Sequence, residues 1–65
     1  MNWDQIAGKW TEVKGKAREA WGDLTDDELD KAAGKRDQMV GLVQQKYGKA
    51  KEDAERAVDE WSSKL

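Results

Sequence analysis

The 65 residues include no histidine, cysteine, proline or phenylalanine. Without His and Cys, the commonest general base, the thiol nucleophile and the usual zinc ligands are gone. No disulfide can staple so short a chain. No stretch approaches the ~20 apolar residues of a membrane span. Met1-Asn2-Trp3-Asp4 has neither the basic segment nor the apolar run of a signal peptide. A cytoplasmic location with no membrane contact is therefore expected. Serine is confined to Ser62 and Ser63 near the C-terminus, with no base in view to activate either. These gaps point away from enzymatic chemistry. No catalytic, cofactor-binding or metal-binding residue is assigned, and no cofactor is expected.

What is present is charge and tryptophan. Charged residues make up 40% of the chain and the mean hydropathy is -1.09. That composition leans toward disorder, because little apolar area is available to offset chain entropy. Against it stand a net charge of only -2 and four Trp, each able to bury on the order of 200 Å². A single domain over residues 1–65 of marginal stability follows, with a disordered free chain as the alternative.

Apolar residues recur at helical spacing. Trp3, Ile6, Trp10, Val13, Ala17, Ala20 and Trp21 define one stripe, which predicts a first helix over residues 3–21. Asn2 and Gln5 form a capping-box pattern at its start, and Trp21-Gly22 reads as an end with Gly in the left-handed region. Thr25 and Glu28 predict a second capped start, with Leu29, Ala32 and Ala33 as a short apolar face closed by Gly34. Met39, Val40, Leu42, Val43 and Tyr47 mark a third helix ending at Gly48. Ala50, Ala54, Ala57, Val58, Trp61 and Leu65 mark a fourth. Four acid-before-base pairs, Glu12–Lys16, Asp27–Lys31, Glu52–Arg56 and Glu60–Lys64, are spaced to support these helices.

All six glycines fall in two heptad-spaced runs, Gly8, Gly15, Gly22 and Gly34, Gly41, Gly48, offset by 26 residues. Across that offset Gly8-Lys9 matches Gly34-Lys35, Val13 matches Met39, Ala17 matches Val43, and Trp21-Gly22 matches Tyr47-Gly48. Such a repeat suggests two similar helical hairpins packed on each other. Gly8, Gly15 and Gly41 lie away from the apolar stripes. Either another backbone approaches closely at these positions or the helices are kept weak.

The segments GKWTEVKGKAREAWGDLTDDEL (Gly8 to Leu29) and GKRDQMVGLVQQKYGKAKEDAE (Gly34 to Glu55) resemble the CsbD-like family of small bacterial stress proteins. The resemblance spans most of the chain and keeps the Gly, Trp, Tyr and Thr-Asp-Asp positions in register. One departure is Leu42, apolar where the family pattern carries Lys after Gly41. The resemblance implies an all-α fold, a small bundle of about four helices arranged as two packed hairpins, as in SAM-like and helix-hairpin-helix domains. It also implies association with the bacterial general stress response. It carries over no catalytic residues.

Several constellations invite a sharper reading. Residues 23–30 hold five acids, but an EF-hand loop from Asp23 would need Gly and Glu where Glu28 and Gly34 stand. The glycines match neither dinucleotide nor P-loop spacing. Residues 31–51 carry Lys31, Lys35, Arg36, Lys46, Lys49 and Lys51 against Asp37, a local balance of +5. Lys35, Arg36, Lys46, Lys49 and Lys51 are therefore the candidate contact surface. Nucleic acid is disfavoured as its partner by a whole-chain pI near 5.0. The four Trp fit core stripes better than a stacking platform, with Trp3 and Trp61 the most exposed. Helix one carries Lys9, Lys14, Lys16 and Arg18, but Glu12 and Glu19 dilute it as a membrane-surface helix.

The leading expectation is a monomeric stress-response protein that acts by contact with an unidentified protein partner. A hydrophilic protectant of the water-loss type, with no specific partner, is the alternative. Weak nucleic-acid association through residues 31–51 is a third.

Overall fold

Two reciprocal caps fix where helices begin in the N-terminal half. In the computed structural model, which describes residues 1–65, Asn2 Oδ1 accepts from the Gln5 N–H at 2.8 Å. Gln5 Oε1 accepts in return from the Asn2 N–H at 3.0 Å. Helix α1, Trp3–Gly8, follows. Thr25 and Glu28 exchange equivalent bonds of 3.0 and 3.2 Å at the head of α3, Asp26–Ala32. Helix α2 is Trp10–Ala20, α4 is Arg36–Tyr47 and α5 is Lys51–Ser63. The molecule is an all-α bundle without strands.

The four helices of seven or more residues answer to the four expected ones, but the first expected helix is broken. Lys9, at φ -116° and ψ 26°, leaves helical geometry and separates α1 from α2. Gly8 precedes this break, at the point where helix propensity is lowest. Nor does Gly22 terminate α2 in the left-handed region. Only Ala33, Gly34 and Gly48 have positive φ, so α2 ends at Trp21 with φ -131° and ψ 83°. The 26-residue repeat survives as architecture: a short helix, a Gly-Lys step and a longer helix occur twice, as α1–α2 and α3–α4. Each short helix packs on its longer partner, and α5 lies along α4 in the largest interface.

Gly34 is where the two repeats meet. It is buried, has φ +75°, and an added Cβ would lie 2.7 Å from the Ala7 α-carbon. The close backbone approach offered as one explanation for Gly8, Gly15 and Gly41 is met at Gly34 and at none of those three. Around Gly8, Gly15 and Gly41 a Cβ would meet nothing within 4 Å.

One cluster of ten buried side chains forms the core: Ala17, Trp21, Leu24, Leu29, Ala32, Met39, Val40, Val43, Ala54 and Val58. Ala20, part of the expected first stripe, points to solvent. Leu24 fills the core from the α2–α3 loop, 1% exposed. The radius of gyration is 10.4 Å, against about 11 Å for a packed chain of this length. The polar composition is therefore accommodated by a compact fold with charge on its outside.

Candidate contact surface

The five basic residues singled out from sequence run from the N-cap of α4 to the first residue of α5, and they do not form one face. Arg36, in the first turn of α4, is turned inward onto α5. Its Nε and Nη2 donate to the two Asp59 carboxylate oxygens at 2.8 and 3.0 Å, and Nη2 also reaches Glu55 at 3.3 Å. Lys46, in the last turn, pairs with Glu28 of α3 at 3.1 Å. Both side chains join helices together. Lys35, Lys49 and Lys51 make no ion pair, but Lys35 sits at one end of α4 and the other two beyond its opposite end. Twelve helical residues separate the two ends by about 18 Å.

Three of the five acids of residues 23–30, Asp26, Glu28 and Asp30, are likewise spent on the fold. Asp26 accepts from Arg18 at 3.1 Å and Asp30 from Lys14 at 2.8 Å, so α2 and α3 are tied across their exposed sides. Glu28 closes the α3 cap and holds Lys46. The Thr25 N–H, aided by Lys46, keeps its carboxyl below the ordinary 4.5. The fork of Arg36 similarly holds the Asp59 carboxyl below 3.8, while its own guanidinium is raised still further. Asp30 raises the Lys14 ammonium above its usual value. None of the four spaced i,i+4 pairs forms. The partners chosen lie on other helices, apart from Arg36–Asp37 and Arg56–Asp53.

Three tryptophans meet where α1, α2 and α5 converge. Trp61 lies with its ring centroid 5.1 Å from Trp21 and 6.2 Å from Trp3, tilted to both. Such tilted contacts suit the ring quadrupoles. Trp10 is apart from this group and donates its indole N–H to the Leu29 carbonyl at 2.8 Å. Trp21 is buried, whereas Trp3, Trp10 and Trp61 are all half-buried, so Trp10 joins the pair expected to be exposed.

Above Trp21 and Trp61 runs a shallow groove of about 540 Å³ between α2 and α5. Ala20, Ala57 and Leu65 complete its apolar lining, and Lys16, Glu19, Glu60 and Lys64 stand on its rim. All four rim charges are exposed and none has an ion-pair partner. Sequence spacing reveals the α2 and α5 stripes separately. It carries no signal that their ends pair across a gap of some 40 residues in the chain.

A profile of the CsbD-like family matches residues 4–56. The chain is 56% identical over 61 residues to a UPF0337 protein of Pectobacterium atrosepticum, covering 94% of this chain and 88% of that one. It is 52% identical over 61 residues to a UPF0337 protein of Bordetella pertussis, covering 94% and 92%. Against UPF0337 protein YjbJ of Escherichia coli K12 the identity is 47% over 64 residues, covering 98% and 93%.

Proposed function

Since the chain belongs to the CsbD-like family, we propose that it serves the bacterial stress response by contact rather than catalysis, and that the Trp21–Trp61 groove is the contact face. The observation that carries this reading is the groove's make-up. An aromatic floor and four unpaired charges coincide at one place, whereas Lys14, Arg18, Arg36 and Lys46 are engaged in holding helices together. A half-buried Trp ringed by uncommitted polar groups resembles the anchor-and-rim organisation of protein interfaces. Lys35, Lys49 and Lys51 keep free ammonium groups and form a secondary contact set.

A second reading is favoured by the glycines. Gly15 and Gly41 weaken the middles of α2 and α4 with no packing gain. A protectant working in bulk, without a specific partner, has no need of stiff helices.

The two readings separate on one substitution. Ala20 is exposed on the groove and outside the core, so A20R fills the groove without disturbing the bundle. Stress survival of a strain lacking the protein is measured with wild type or A20R restored at equal abundance. A contact protein fails when A20R replaces it. Equal rescue by both variants contradicts the contact reading and leaves the protectant.

A further inference from the structure

The groove has a sense of direction. Trp21 meets Trp61, while Lys16 shares a neighbouring hollow with Leu65, so α2 and α5 run antiparallel along it. Lys16 and Lys64 therefore stand toward one end, and Glu19 and Glu60 toward the other. The offsets are about 4.5 Å along α2 and 6 Å along α5. One end is basic, the other acidic, and the floor between them is apolar.

We propose that the occupant of this groove is a second copy of the chain, docked face to face about a two-fold axis that lies in the interface plane and crosses the groove at right angles to its length. The proposal rests on the groove being the contact face. Rotation by half a turn brings the basic end of one copy over the acidic end of the other, twice. This is the self-complementarity that an isologous interface requires. Lys16 and Lys64 of each copy then find Glu19 and Glu60 of the other, and all four unpaired rim charges gain partners.

The apolar surface is distributed to match. The neighbouring hollow, lined by Met1, Lys9, Glu12, Val13, Lys16 and Leu65, continues the face through its shared Lys16 and Leu65. Met1, at 42% exposure, is one of only two large apolar side chains that open to solvent. With 4219 Å² of total surface, the chain can spare only a face below the ~800 Å² per partner of a standard interface. A weak dimer follows, populated when the protein is abundant and dispersed when it is scarce.

Sedimentation equilibrium from micromolar to low-millimolar protein tests this. The wild type is expected to rise from 7.4 kDa toward twice that mass. The rise should weaken with added salt, because the rim pairs are solvent-exposed. K16E/K64E and E19K/E60K each place like charges over one another and are expected to associate at least tenfold more weakly. An equimolar mixture of the two should regain association as a mixed dimer. All four side chains are exposed, so the bundle is retained, and helical circular dichroism checks it. Wild type that stays monomeric throughout, or a dimer indifferent to the charge swaps, overturns the proposal. The first outcome together with failure of A20R in the survival assay leaves the contact reading intact with a foreign partner. Association with equal rescue by A20R removes the contact reading instead.

Discussion

Gly34 combines φ +75° with the Ala7 backbone pressed against the place of its missing Cβ. Gly34→Ala meets steric conflict as well as the ~1–2 kcal/mol cost of a left-handed non-glycine residue, so the expected loss exceeds that cost. Gly15 and Gly41 lie in ordinary helix with open space around them. Gly15→Ala and Gly41→Ala are each expected to stabilise by about 1 kcal/mol. In a domain of this size that raises Tm by roughly 4–8 °C each. Thermal unfolding of the three variants checks both signs, and a lower Tm for Gly15→Ala would contradict the open surroundings of that residue. The sequence displays these glycines as equivalent members of two heptad runs. What distinguishes them is which backbone crosses which, a tertiary fact with no local signature. Leu24 was hidden for a related reason: it sits alone among polar residues in a loop, and only assembly of the common core carries it inside.

At the scale of the helices, starts were legible and joins were not. The Asn2–Gln5 and Thr25–Glu28 boxes form as their spacing predicts, because a capping box needs only residues three apart. The continuous stripe from Trp3 to Trp21 conceals the break at Lys9, since a kink that preserves the apolar face leaves periodicity nearly unchanged. Ion-pair partners were also beyond local reading: the fork of Arg36 grips Asp59, 23 residues away, and so fastens α4 to α5. This join sets a pH dependence. The Asp59 and Glu28 carboxyls are both held below their ordinary values. Their contribution is therefore full above the unfolded values of 3.8 and 4.5 and is lost as pH falls through the lower folded ones. Asp59→Asn is expected to lower stability at neutral pH and to lose less than wild type on acidification. Urea unfolding at about pH 7 and about pH 3 reads the difference. An equal acid loss in both proteins would remove Arg36–Asp59 as its source.

For the whole molecule, the all-helical class and the repeat were readable from spacing, and the resemblance between Gly8 and Glu55 led to the family that the comparisons identify. The proposed contact face was not. Charge counted along the chain gathers Lys35, Arg36, Lys46, Lys49 and Lys51 into one basic segment. Folding pairs Arg36 and Lys46 with other helices and sets Lys35 apart from Lys49 and Lys51, off opposite ends of α4. The groove proposed as that face exists because α2 and α5, far apart in sequence, bring Trp21 and Trp61 together. The central claim is that this polar chain is a folded module presenting that groove. A two-dimensional amide spectrum of the labelled protein, wild type and A20R, tests it most directly. Four separate indole signals are expected, with Trp10 protected from exchange by its bond to Leu29. A20R should move the Trp21 and Trp61 signals and leave Trp10 in place. Indoles collapsed into one overlapped group, unmoved by A20R, would mean that the free chain holds no groove with which to bind.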